Sequence, residues 1–181
     1  MTKTGHAPAS VTQPGDAAGV RRAIEAFTQD EQGDWVAHLA CLHRQHVRHR
    51  PPFWDRPWVE TPAGRAAHVG TPLDCPLCDR AELPGELDVA RTVGPFEAED
   101  LPAGLRRAHR VADRTWGRLR VLQGTVAFEL GLDPPVLRRL GAGDTQAIPP
   151  GVVHRLVGAG SFRLVLEFLT RPRQRDPEAS G

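Results

Sequence analysis

The sequence predicts a mainly β chain in two parts: a small metal-stapled module of β-hairpin and helix, then a β-barrel or sandwich. Three observations carry this. All three cysteines (Cys41, Cys75, Cys78) fall in the first half. Short apolar runs cut by glycine and proline turns fill the second half, from residue 88 to 170. Gly and Pro together number 18 and 17 among 181 residues, too many turn formers for a helical bundle.

In the first part, residues 22–28 and 35–40 flank the polar stretch 29–34, which reads as a hairpin turn. Thr61 precedes Pro62, and Gly70 follows Val69. This is the N-cap, first-turn proline and trailing glycine of a helix, with Gly64 as a weak point inside it. In the second part, residues 105–109, 117–123, 125–130, 136–140, 145–148, 152–157 and 161–169 each have strand length. In the last of these, Phe162, Leu164, Leu166 and Phe168 share one face. The expected boundaries are disordered tails at 1–20 and 172–181, a metal module at 21–80, a linker at 81–88 and a β domain at 89–171.

Composition narrows the functions. The formal net charge is +1, which disfavours a protein that holds nucleic acid by bulk charge. Lys3 is the one lysine, Asn and Tyr are absent, and Ile occurs only at Ile24 and Ile148. That bias fits a GC-rich bacterial genome, so the abundant arginine says little about phosphate recognition. No apolar run approaches the roughly 18 residues of a membrane helix, and no signal peptide is visible. An odd cysteine count without a secretion signal points to a reduced, cytoplasmic protein rather than a disulfide framework.

Cys75-Pro76-Leu77-Cys78 is a CxxC pair, whose two intervening residues let both sulfurs turn toward one ion. Cys41 and His43 supply a second pair at the end of the hairpin, completing a Cys3His set suited to structural zinc. A module of about 60 residues has a marginal core of its own, so a metal staple is useful there. The competing readings are a redox CxxC or two unrelated buried thiols. His46 and His49 compete with His43 for the fourth position, and His38 reads as a partly buried strand residue. Arg44, Arg48, Arg50 and Arg56 stand among Phe53, Trp54 and Trp58, a pattern that can stack and neutralise single-stranded nucleic acid. With so balanced a charge, nucleic acid is not the expected partner.

The stretch 30–35, then Cys41-Leu42-His43-Arg44-Gln45-His46-Val47-Arg48-His49, Pro51-Pro52, Arg56-Pro57-Trp58 and the CxxC pair, resembles an uncharacterised bacterial family with a CGH…QHVRH…PPW…RPW…CxxC pattern. The resemblance covers about residues 22–80. Leu42 stands where that family has glycine.

In the second part, Gly143-x5-Pro149-x-Gly151-x2-His154 resembles the second motif of the cupins, which implies a jelly-roll barrel. The first cupin motif is poorly kept: His109 stands without the HxH pair. From about residue 90 to 172, Leu101–Leu105, His109, residues 116–124, residues 148–154 and residues 165–168 resemble the cupin-like domain of TehB tellurite-resistance proteins, also found alone in YeaR-type proteins. The resemblance implies a role in stress or tellurite resistance. The methyl transfer of TehB belongs to a separate domain and is not expected here. His109, His154 and Glu167 are the candidate ligands of a barrel metal (Zn, Fe or Mn). Strand alternation puts Arg107 beside His109, as a cation for a small anionic ligand. The leading expectation is therefore a two-domain protein with structural zinc and a barrel that binds a metal or small anion. The alternatives are a metal-dependent cupin enzyme, and a nucleic-acid or protein adaptor working through the N-terminal block. Homo-oligomerisation is left open.

Overall fold

The computed structural model describes residues 19–158 and 160–172. The expected terminal tails lie almost wholly outside the described residues. Val20, assigned to the first tail, instead donates its backbone N–H to Asp79 (2.7 Å) and packs into the core.

The first part is a four-stranded antiparallel sheet in the order β3-β2-β1-β4. β1 (Arg21–Gln29) and β2 (Trp35–Leu39) form the expected hairpin. Asp30 closes its turn by accepting from the backbone of Gln32 and Asp34. β3 (Arg44–His46) extends one edge, and β4 (Pro72–Asp74) the other. Between them a 3-10 turn (Pro57–Glu60) leads into α1 (Pro62–His68). Thr61 caps α1 by accepting from the Gly64 N–H, as its sequence position implied. Gly64 weakens the helix intrinsically, but a Cβ there would lie 2.2 Å from the Trp58 carbonyl, so close packing against the 3-10 turn requires glycine. α2 (Pro76–Asp79) follows β4, with Cys75 as its N-cap residue and Cys78 within it.

The second part is a curled antiparallel sheet built around one long strand. β5 (Asp88–Glu97), β6 (Trp116–Leu130) and β10 (Phe162–Thr170) run side by side with β10 in the middle. The first half of β6 pairs with β10 and β8 (Thr145–Ile148). Its second half pairs with β7 (Val136–Gly141) and β9 (His154–Val157). Gly124 makes this possible. Its φ is +73°, and a Cβ would sit 1.9 Å from the Ser161 carbonyl, so only glycine lets the strand bend where β10 begins. The sequence expected two strands here, and the structure joins them through that bend.

Two further expectations are corrected. Residues 105–109 are not a strand: α3 (Ala103–Arg106) occupies their start, and only His109 forms a bridge, to His154. The segment 81–88 is not a free linker, because Leu83 and Leu87 pack beside the cysteines and Ala81 is buried under the curled sheet. The fold has two apolar cores. One lies inside the curled sheet, with Leu119, Val121, Phe128, Leu130, Leu164 and Leu166. The other surrounds the cysteines with Ile24, Leu39, Val47 and Val59, and also takes in Trp116 from β6 and Leu169 from β10.

Candidate metal centre

Cys41 and His43 leave the end of β2 in a tight turn, in which Leu42 has φ +74°. Left-handed backbone costs a leucine on the order of 1 kcal/mol, which explains why glycine suits this position in the family that the segment resembles. Cys75 precedes α2 and Cys78 lies within it. The short helix turns both sulfurs the same way, and Cys78 and Asp79 donate backbone N–H groups to the Cys75 carbonyl.

The four side chains converge. Their donor atoms all lie within 4.8 Å of one another. His43 Nδ1 is 3.4 Å from Cys41 Sγ, 3.3 Å from Cys75 Sγ and 3.7 Å from Cys78 Sγ, and the Cys41 and Cys75 sulfurs are 3.8 Å apart. A tetrahedral ion with metal–sulfur bonds of about 2.3 Å and a metal–nitrogen bond of about 2.05 Å requires S···S near 3.8 Å and S···N near 3.5 Å. The donor set therefore fits a tetrahedral metal. All four residues are at most 3% exposed, so no coordination position opens to solvent. Among the described residues this is the one such group of three or more His, Cys, Asp or Glu side chains.

Electrostatics agree with a cation-shaped site. Hydrogen bonds from Cys41 and Cys78 hold the Cys75 thiol far below the usual thiol range, while hydrogen bonds with Cys41 and Cys75 hold Cys78 far above it. One buried cluster cannot keep three thiolates without a cation. Burial opposes protonation of His43, but its hydrogen bonds to Cys41 and Cys75 outweigh that and raise the ring to about 9. The competing histidines are occupied elsewhere: His46 pairs with Asp30 at 2.7 Å, and His49 Nδ1 accepts from the Arg56 backbone N–H. His38 meets the Thr28 hydroxyl on the strand surface.

The neighbours of the cluster come from both sheets. Trp116 Nε1 donates to the Cys41 carbonyl at 2.8 Å, and its ring stands at 76° to His43, 5.3 Å between centroids. Arg22 on β1 donates from Nε to Cys78 Sγ at 3.4 Å. Sequence reasoning did not assign either residue to the site.

The barrel candidates divide. His109 and His154 are adjacent, with ring centroids 4.2 Å apart. Each donates from Nδ1 to the backbone carbonyl two residues earlier, Arg107 and Val152 respectively. A carbonyl can only accept, so Nδ1 of each ring carries a proton. Burial pushes His154 down to about 4, keeping it neutral. Glu167 does not join them. Leu166 lines the small cavity beside the two histidines, and Glu167, next along the strand, takes the opposite face. There it binds Arg118 (2.5 Å) and Arg120 (3.0 Å). Burial resists ionisation of Glu167, but these two guanidinium groups outweigh it and lower its pKa. The three-ligand barrel site is therefore not formed. Arg107 is also corrected: it follows α3, and its side chain is exposed. A groove of about 420 Å³ opens instead among α3, β5 and β10, lined by Leu105, His109, Phe96, Leu166, Phe168 and Arg91. Arg91 lies in β5, before the first strand that could be read in the β domain, so no motif singled it out.

In the basic aromatic loop, Arg48 pairs with Asp34, Arg56 stacks over Trp54, and Phe53 and Trp54 are exposed. No helix among the described residues is long and apolar enough to cross a membrane.

Comparison with known proteins follows the two-part architecture. Residues 26–82 match the model of DUF3565, a protein of unknown function, and residues 91–166 match the model of the TehB-like domain. No curated protein matches the chain. Among solved structures, a protein from E. coli strain K12 is similar at 19% identity over 55% of this chain and 96% of that one, with a TM-score of 0.46. TehB from Haemophilus influenzae is similar at 19% identity over 48% of this chain and 32% of that one, with a TM-score of 0.42. The Fe(II) form of HppE is similar at 21% identity over 35% and 34% of the two chains, with a TM-score of 0.31.

Proposed function

We propose that this chain, a TehB-like domain joined to a DUF3565 module, is a small-ligand-binding protein of the tellurite-resistance type whose N-terminal module carries one structural zinc ion. The observation that carries the zinc assignment is the buried Cys41, His43, Cys75 and Cys78 set, with spacings that suit zinc–thiolate and zinc–imidazole bonds. Four protein donors leave no open position for water, so the ion stabilises the fold and performs no chemistry. His43 would bind through Nδ1.

Ligand binding belongs to the groove at the mouth of the curled sheet. Val93, Phe96, Leu105, Leu166 and Phe168 provide an apolar lining, and Arg91 adds a positive charge to it. His109 also lines the groove; its Nδ1 is held by the Arg107 carbonyl, which leaves Nε2 for a polar contact with a ligand. This suits a small anion with an apolar body, the anionic group at Arg91. The site has no hydroxyl or thiol beside a base, so the reading is binding rather than covalent catalysis or methyl transfer. Three thiols gathered without a disulfide suit a reducing compartment, the cytoplasm in this reading.

Elemental analysis of the purified chain tests the metal: one zinc per chain in the wild type, lost in Cys75→Ser, supports the assignment, and retained zinc in that variant contradicts it. Titration with octanoate and with tellurite, followed by amide NMR, tests the groove. Shifts confined to residues around Arg91 and His109, weakened by Arg91→Gln, support the reading. Shifts elsewhere, or none with either probe, contradict it.

A further inference from the structure

A zinc ion bound by three thiolates and one neutral imidazole carries one net negative charge, two positive charges against three. Burying that charge is costly unless a cation stands beside it. Resting on the zinc reading above, we propose that Arg22 is that counter-charge and that the metal centre thereby clasps the N-terminal sheet to the curled sheet, so that metal binding and docking of the two sheets are one equilibrium.

Several observations converge on Arg22. Its Nε donates to Cys78 Sγ at 3.4 Å. Its Nη2 is buried without a hydrogen-bond partner, which a guanidinium tolerates poorly unless a neighbouring charge compensates it. Its Nη1 reaches into the other sheet's Pro149–Gly151 turn: a Cβ at Gly151 would lie 3.7 Å from it. One side chain therefore spans from a metal donor to the β-domain.

The second half of the clasp is Trp116. It is fully buried in the cysteine core, although it begins β6, and its indole holds the carbonyl of Cys41. Leu169, beside it on β10, is buried in the same core. A third link, the ion pair between Glu25 of β1 and Arg114, crosses nearby. Without the ion the Cys41 turn loses its anchor, the Arg22 guanidinium loses its counter-charge, and the Trp116 pocket loses one wall.

The turn that Arg22 reaches leads directly to Val152, whose carbonyl fixes the tautomer of His154.

The full-length chain tests this in two ways. Zinc affinity, measured by chelator competition, should fall about 10- to 100-fold in Arg22→Met, the usual effect of losing a partner of a metal ligand. Arg22→Lys, which restores the charge, should recover part of it. The sulfur-to-cobalt absorption of the cobalt(II)-loaded protein should shift in Arg22→Met while keeping its tetrahedral pattern. In hydrogen exchange of the wild type, zinc removal should deprotect the Trp116–Leu119 stretch while Phe128 and Leu130 stay protected. Wild-type affinity in Arg22→Met, or unchanged protection at Trp116 after zinc removal, overturns the clasp while leaving structural zinc intact. A wild-type chain that takes up neither zinc nor cobalt(II) overturns the zinc reading, and the clasp with it.

Discussion

The indole Nε1 of Trp116 donates a buried hydrogen bond of 2.8 Å to the carbonyl of Cys41, 75 residues earlier in the chain. The first residue of the long central strand thereby belongs to the core of the cysteine module. The two parts of the chain are packed as one body around this contact, with Leu169, Leu83 and Leu87 in the same core.

Replacing Trp116 should therefore damage the metal module from a distance. Trp116→Phe keeps an aromatic ring but leaves the Cys41 carbonyl unpaired, at a cost of about 1–3 kcal/mol. Trp116→Ala adds a cavity, for a total of about 3–5 kcal/mol. Urea unfolding of the zinc-loaded proteins measures both, and a loss under 0.5 kcal/mol in Trp116→Ala, on the order of an ordinary surface change, would rule out this role.

Gly124→Ala should be among the most destabilising single-methyl changes in the chain. The added carbon meets the Ser161 carbonyl at 1.9 Å in a backbone of positive φ, so either β6 or the start of β10 must move. A loss of about 2–4 kcal/mol is expected. Thermal unfolding checks this, and a wild-type midpoint would show that the bend does not depend on glycine.

Glu167 should prove structural and metal-independent. Glu167→Gln leaves Arg118 and Arg120 without their shared carboxylate, at a cost of about 1–3 kcal/mol for a largely buried partner. Zinc stoichiometry should not change. Loss of a bound metal in this variant would restore Glu167 to a ligand role.

Stability should also depend on His154 in mildly acidic solution. Its folded-state pKa is pushed down to about 4 from an ordinary 6.5, so the unfolded chain binds more protons between those values. The contribution is complete above about pH 6.5, declines as pH falls, and is gone below about pH 4. It amounts to up to about 3 kcal/mol. Acid also releases metal from thiolates, in this protein and in a His154→Phe variant alike. Subtracting the variant's pH dependence from the wild type's isolates the histidine. Identical curves for the two proteins would mean that His154 is not buried as a neutral ring.

Much of this was legible in the sequence. The hairpin could be read because polar turn residues separate two apolar runs, and Thr61 and Pro62 announced their helix. The CxxC spacing and the Cys41–His43 pair pointed to the four donors that the fold brings together, while Asp30 and the Arg56 backbone N–H engage the rings of His46 and His49. In the barrel, two sequence patterns conflict. Phe162, Leu164, Leu166 and Phe168 already formed the inward stripe of β10, and that stripe turns Glu167 outward. Residues 105–109 failed as a strand because Pro102 begins a helical turn. Trp116 and Arg22 were beyond reach, since nothing local in a sequence says that a strand's first residue packs on a cysteine cluster assembled far upstream.

The central claim is a closed zinc centre formed by Cys41, His43, Cys75 and Cys78. X-ray absorption at the zinc edge of the purified full-length chain measures its donor shell directly. The predicted spectrum has three sulfurs at about 2.3 Å and one nitrogen at about 2.0 Å, with no additional oxygen. A shell dominated by oxygen and nitrogen, or a protein that carries no zinc, would contradict it.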